Sequence, residues 1–415
     1  MTLIDDLNNW ELDSEAVPRL ISAYNLLLEI IGTYLDIADE DKQILALWII
    51  AASYKDAFNT FPILFINASK GSGKTRLLKL IEADIPDSIL ISNLTESALF
   101  RICEIKHCIL IDEAERLSSK EKNSLRELLN ACYKRGSKVL RVEGDKEKKW
   151  KIREFEVYNP VALANIWGLE SILEDRCITI VLQKSTNQDI ITRPELFEID
   201  ERIKAIRKYF EGSLAYVNSH IQDNILAPVY ARFNTLYTTT LPTLPTSTYT
   251  NDEIEYFSKS VYECRLSGRN FELWLPLFVL SYSINPSLFE STLELAKNRS
   301  KLKEQDETLF DRDTNMAINL YTYLQNTDIE LPIMTTKAFI DYYQQENDAK
   351  DWLTYEFIGR FLKRIGVIDS RRRLAKGFEY TISMLKLKKY LEIRNVDISQ
   401  SQTAPETIEP QKHII

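Results

Sequence analysis

The sequence predicts an α/β protein: a parallel five-stranded sheet, preceded by helices and followed by more. Three observations carry this. Short apolar runs at 62–66, 88–92, 107–112, 160–165 and 177–183 alternate with helical patterns near 74–83, 95–104 and 117–133, the alternation of a parallel sheet. The first run leads into a stretch of small residues and then a helix bearing Leu77, Leu78, Leu80 and Ile81. The third run, His107 to Glu113 (HCILIDE), ends in two acids, as a buried strand ending at an active edge would.

In chain order, residues 1–58 read as helices, with leucines and isoleucines at helical spacing over Ala16–Tyr34 and Asp41–Phe58. Residues 59–190 hold the five strands, and Thr95 is placed to cap the second helix there. Residues 191–328 read as helices broken by a Thr/Pro-rich stretch, Tyr237 to Asp252, expected to be an extended loop. Residues 329–396 read as a smaller unit: helices over Thr336–Gln345 and Tyr355–Ile365, a basic turn and strand over Ser370–Tyr380, and a helix from Ser383. Residues 397–415 read as a disordered tail.

The length of 415 residues suits two or three domains, and 45 % apolar with 27 % charged residues is ordinary for a soluble protein. A net charge of −9 excludes nucleic-acid binding by bulk charge, so local charge matters instead. Five cysteines without a C-x-x-C pair, and three scattered histidines, make a zinc or disulfide frame unexpected. No apolar run is long enough to span a bilayer, and the acidic start MTLIDDLNNWELDSE lacks signal-peptide character. A cytoplasmic protein without membrane contact is expected.

The chemistry starts at Ala68-Ser69-Lys70-Gly71-Ser72-Gly73-Lys74-Thr75. Strand, glycine loop and helix together make a phosphate cradle of backbone N–H groups, aided by the helix dipole. Ser69 to Thr75 are the expected nucleotide contacts: Lys74 reaches the β/γ-phosphates and Thr75 holds Mg²⁺. Ala68 stands where the pattern has its first glycine. Asp112 is the second expected Mg²⁺ residue, acting through water, and Glu113 polarises the attacking water. Asn165, ending the strand Pro160–Asn165, is placed to bond the γ-phosphate or the water; a polar residue starting a loop is the alternative. Arg176, just before the last strand, is read as an arginine finger serving a neighbouring subunit, against a plain surface arginine.

Two stretches are basic. Lys134 to Arg153 holds nine basic and three acidic residues and reads as a hairpin turning at Glu143-Gly144-Asp145. Lys146, Lys148, Lys149, Trp150 and Lys151 suit a nucleic-acid backbone and a stacked base; a solvated charged hairpin is the alternative. Phe361 to Arg394 holds ten basic and three acidic residues. Arg371, Arg372, Arg373 and Lys376 would meet DNA from a winged helix, or the unit docks a protein.

Together these motifs resemble the AAA+ ATPases, more closely a group of phage, plasmid and archaeal replication ATPases, over residues 42–390. ASKGSGKT resembles Walker A, CILIDE resembles Walker B, Asn165 matches sensor 1, and Asp175-Arg176-Cys177 is similar to the clamp-loader finger motif. A hairpin before sensor 1 is shared with superfamily III and minichromosome maintenance helicases, where it lines the pore. Arg269, in Arg269-Asn-Phe-Glu272-Leu-Trp274-Leu-Pro-Leu277, sits where the group's lid signature places a sensor 2 residue; Arg207 and Arg232 are rivals. The resemblance implies an AAA+ sheet with a helical lid and a C-terminal winged helix, using ATP and Mg²⁺. It implies a homo-oligomer, a hexameric ring, acting on DNA as a replicative helicase, with single strand in the pore and duplex on the winged helix. No primase or polymerase domain is present in the sequence, so such a partner is expected on another chain. A helicase loader or initiator, and a protein-remodelling NTPase, are the alternatives.

Overall fold

The computed structural model describes residues 2–8, 17, 19–68, 71–92, 94–114, 123–144, 150–165, 169, 171–235, 249–266, 268–310, 312–325, 331–346, 353–374, 377–393 and 396. The chain forms two compact units, Met1–Asn298 and Arg299–Ile415.

The first unit contains strands β1 (Ile63–Ala68), β2 (Ser88–Ile91), β3 (Cys108–Ile111), β4 (Lys138–Gly144), β5 (Trp150–Glu156), β6 (Val161–Asn165) and β7 (Cys177–Leu182). Five of them form one parallel sheet in the order β2-β3-β6-β1-β7. The inner strands β3, β6 and β1 are apolar on both faces because both faces are covered, whereas edge strand β7 leaves Val181 exposed. Leu64, Ile66, Cys108, Leu110, Ala162, Ala164, Ile178 and Ile180 point into one core, and Ile63, Phe65, Ile109, Ile111, Val161 and Leu163 into the other. The two-residue period of each strand sorts its side chains between them.

The first core is closed by the helices Leu20–Tyr34, Asp39–Ser53, Lys74–Asp84, Glu201–His220, Asn251–Glu263 and Gly268–Ile284. The helices Leu3–Asn8, Leu20–Tyr34 and Asp39–Ser53 therefore share one core with the sheet and with the helices that follow it, and all of these lie in one unit. Trp48 locks the junction by donating Nε1–H to the Pro62 carbonyl at 2.9 Å. The second core is closed by Glu96–Ile105 and Asn123–Cys132. Thr95 caps the former, its hydroxyl accepting from the Ala98 amide at 3.3 Å. All five cysteines are buried free thiols.

β4 and β5 pair as the expected antiparallel hairpin, running from Lys138↔Glu156 to Gly144↔Trp150. Its base is held to the helix Glu96–Ile105 by the Phe100 and Phe155 rings, 4.5 Å apart, and by the ion pairs Arg141–Glu96 and Arg153–Glu104.

In the second unit the order is helix Arg312–Leu324, β8 (Ile333–Thr335), helices Thr336–Glu346 and Tyr355–Ile365, β9 (Ile368–Arg373), β10 (Phe378–Ile382) and helix Met384–Ile393. The strands make an antiparallel sheet in the order β8-β10-β9. The helix Arg312–Leu324, expected with the preceding helical region, gives Met316, Ala317, Leu320 and Leu324 to this unit's core. At Gly377 (φ 85°) an added Cβ would lie 2.6 Å from Thr336 Oγ1. That hydroxyl is already engaged with the Phe378 carbonyl and amide, so only glycine lets the β9–β10 turn lie this close.

Among the described residues no helix is long and apolar enough to cross a membrane. The Thr/Pro-rich stretch over 237–248 and the tail after Val396 lie outside the described residues.

Candidate nucleotide site

The site is built at the C-terminal edge of the sheet. β1 ends at Ala68, which is buried, paired with Leu182 of β7, and is not among the residues of positive φ. Ala68 thus occupies an ordinary strand position that does not require a glycine. The chain then turns through Gly71 (φ 79°) and Gly73 (φ 97°), and Gly73 is the N-cap of the helix Lys74–Asp84. Both glycines sit in the left-handed region that side chains avoid, and the turn delivers Lys74 and Thr75 in the first helical turn, beside the N–H groups that open the helix. Ser69 and Lys70 lie outside the described residues.

Thr75 and Asp112, 37 residues apart, meet here: Thr75 Oγ1 donates to Asp112 Oδ2 at 2.7 Å. The other carboxylate oxygen accepts from the Glu113 amide at 2.9 Å, and the Asp112 amide donates to the Ile91 carbonyl at 3.0 Å. Asp112 is therefore fixed from three sides. Glu113 is exposed, with φ 56°, which costs a non-glycine residue about 1 kcal/mol or more. That turn follows directly on Asp112, whose carboxylate leans on the glycine-loop helix through Thr75. Asn165 ends β6, fully buried and in register with Asn67 of β1. Because β6 lies between β1 and β3, Asn165 is placed between the phosphate loop and the Asp112–Glu113 pair.

A hydroxyl and a carboxylate oxygen 2.7 Å apart beside a glycine loop fit a hydrated Mg²⁺ carried by phosphates. Among the described residues no group of three or more His, Cys, Asp or Glu side chains could hold a metal ion alone. Phosphate oxygens would complete the coordination.

Arg176 and Arg269 lie elsewhere. The Arg176 carbonyl accepts from the Ile63 amide at 3.1 Å, which puts it at the N-terminal edge of the sheet. Arg269 pairs with Asp175 at that same edge. The five residue steps of β1 separate the edges by about 17 Å. Arg269 is therefore not brought to the phosphate loop of its own chain, and a sensor 2 role within one subunit does not fit this geometry. Its rival Arg207 pairs with Glu211; the Arg232 side chain lies outside the described ones.

In the basic hairpin, five of the nine cations are in ion pairs: Lys134–Glu272, Arg135–Asp56, Lys138–Glu154, Arg141–Glu96 and Arg153–Glu104. The other four are Lys146, Lys148, Lys149 and Lys151. The first three lie outside the described residues; for Lys151 and Trp150 only the backbone is described, in β5. In the second unit Arg371, Arg372 and Arg373 are exposed along β9, with Arg371 against the Phe378 ring. Lys376 lies outside the described residues.

Two residues were not singled out in the sequence. Arg76, next to Thr75, donates to the Ile190 and Arg193 carbonyls at 2.7 and 3.0 Å and pairs with Glu195, which Lys79 also holds. It ties the phosphate-loop helix to the segment after β7. Lys184 lies two residues past β7, and its Cε comes within 3.8 Å of where a Cβ on Gly71 would be. A lysine just past a strand that neighbours β1 was the available signal.

Comparison with protein-family models and with curated proteins finds no match.

Proposed function

We propose that this chain is a Mg²⁺-dependent ATPase of the AAA+ type that acts on DNA as an oligomeric ring, with strand separation or translocation as its output. The observation that carries the reading is the 2.7 Å bond between Thr75 and Asp112. It joins the glycine-loop helix to the acidic strand across 37 residues of sequence, the juxtaposition that hydrolysis of a phosphoanhydride requires.

ATP supplies the phosphoanhydride, and Mg²⁺ spreads its charge. The Gly71–Gly73 backbone and Lys74 bind the phosphates. Thr75 and Asp112 hold the cation. Glu113 orients water for in-line attack and takes up its proton, while Asn165 positions that water or the γ-phosphate. Arg176, at the opposite edge, serves a neighbouring copy. The helices after residue 200 act as the lid. The Lys134–Arg153 hairpin contacts single-stranded DNA, and the second unit, with helix–strand–helix–helix–strand–strand order, acts as a winged helix on duplex.

The test is steady-state ATP hydrolysis with and without single- and double-stranded DNA at two salt concentrations, beside Lys74→Ala. DNA-stimulated, salt-sensitive hydrolysis lost in the variant is expected. Hydrolysis indifferent to Lys74→Ala would sink the nucleotide site. The exposed arginines of β9 favour one second reading, a duplex-binding initiator or helicase loader; it predicts duplex binding without unwinding of forked DNA.

A further inference from the structure

Lys184 flanks the glycine loop on the side away from Asp112. β7 pairs with β1 on the side opposite β6 and β3, and the last rung of that pairing is Ala68↔Leu182. Two residues further on, Lys184 stands beside the loop and no longer beside a strand. Its Cε, one bond short of the ammonium, is 3.8 Å from where a Cβ on Gly71 would be. Gly71 has no side chain, so nothing of its own separates the lysine from the loop backbone.

The segment that carries Lys184 is pinned on both sides. Before it, Leu182 is buried in the sheet. After it, Ser185 Oγ donates to Asp36 Oδ2 at 2.6 Å and accepts from the Asn187 amide at 3.0 Å. Asn187 caps the short helix Gln188–Ile191 by accepting from the Asp189 amide at 3.0 Å. Arg76 then holds the Ile190 and Arg193 carbonyls. Because Arg76 directly follows Thr75, one helix sets both the phosphate cradle and the flank on which Lys184 sits.

Charge separates Lys184 from its neighbours. Arg76 and Lys79, on the glycine-loop helix, both pair with Glu195. Lys184 is exposed, and among the described residues no ion pair or hydrogen bond engages its ammonium. A lysine is a compact charge with three donors on a flexible stem, suited to a phosphate oxygen. A triphosphate in the cradle carries more negative charge than Mg²⁺ and Lys74 together offset.

We propose that Lys184 is a second phosphate-binding cation of this chain's own nucleotide site. It closes on the phosphate chain from the β7 flank, while Thr75 and Asp112 hold Mg²⁺ on the other, and Arg76 is the residue that positions it. The inference rests on the ATPase reading and adds to it a binding residue that lies outside the glycine-loop pattern.

Titration of the full chain with ATP and Mg²⁺, at low and at high salt, tests it. Lys184→Ala is expected to weaken ATP binding about three- to tenfold at low salt and to make affinity less dependent on salt. Lys184→Arg keeps the charge and should bind within about twofold of wild type; if it is as weak as Lys184→Ala, the effect is packing and the inference falls. Arg76→Ala should also weaken binding, and adding Lys184→Ala to it should cost less than Lys184→Ala costs in the wild type. Full additivity overturns the positioning role of Arg76. Lys74→Ala separates the levels. If it loses ATP binding while Lys184→Ala binds like wild type, the nucleotide site stands and this inference alone falls; if Lys74→Ala also binds like wild type, both readings fall.

Discussion

Asp84 allows a sharp test of how the phosphate-loop helix is built. It is the last residue of that helix, fully buried, and neither carboxylate oxygen has a hydrogen-bond partner among the described residues. Burial pushes its pKa well above the ordinary 3.8; the Asp200 carboxylate adds to this and Arg202 opposes it. The negative end of the helix dipole disfavours the ionised form as well. The folded chain therefore keeps a proton on Asp84 at pH values where the unfolded chain releases it.

The consequence for stability follows from linkage. Below about pH 4 both states are protonated and the group contributes no pH dependence. As pH rises, the unfolded state gains by ionising and the folded state does not, so stability falls by about 1.4 kcal/mol per pH unit until the folded pKa is reached. Asp84→Asn has the same shape and no proton to lose. It should match wild type near pH 4 to within about 1 kcal/mol, then gain on it by about 1.4 kcal/mol per pH unit. Urea unfolding of both proteins between pH 4.5 and 7, followed by a probe of the first unit, measures the difference. A stability gap that does not change with pH would refute the reasoning, because it would mean that Asp84 is already ionised in the folded state.

Three further outcomes follow from the site. Thr75→Ala or Asp112→Asn should raise the Mg²⁺ concentration for half-maximal hydrolysis by about tenfold or more, read from a metal titration at fixed ATP; an unchanged midpoint would remove both from the metal site. Glu113→Gln should keep ATP-analogue binding within about twofold while lowering hydrolysis by about 10²–10⁴, seen by comparing a binding isotherm with turnover. Replacing Arg371, Arg372 and Arg373 together by alanine should lower the slope of log affinity against log salt for duplex DNA by about 2–3, measured by fluorescence anisotropy; an unchanged slope would take β9 out of the DNA contact.

The strands of the central sheet were legible in the sequence to within two residues at each end, because a strand buried on both faces must be an unbroken apolar run. The same uniformity hid their order. Nothing in Val161-Ala-Leu-Ala-Asn165 distinguishes a strand between β1 and β3 from one at an edge, since the edge strand Cys177–Leu182 is almost as apolar in sequence. β8 escaped notice because three residues, Ile333–Thr335, form too short a pattern to show a two-residue period. The left-handed turn at Glu113 was equally invisible: glutamate is not a residue that announces positive φ.

Arg269 shows where reading a motif along the chain stops short. Its place at the start of a helix after the sheet is visible in the sequence, but its edge of the sheet is decided by how the helices from 201 to 284 run across the first core. Asp175, Arg176 and Tyr133 fix that edge as the N-terminal one. Thr75, Asp112 and Asn165 occupy the other. Under the proposed function, a subunit with its glycine loop at one edge and Arg176 at the other would hold the two halves of a catalytic site about 17 Å apart. Side-chain motion alone does not close such a gap. On that proposal a second copy placed head to tail would, and because the two surfaces differ, such a contact would be heterologous, giving a ring if its rotation closes. The separation of the two edges is thus the physical reason to expect hydrolysis by assembled subunits and not by isolated ones.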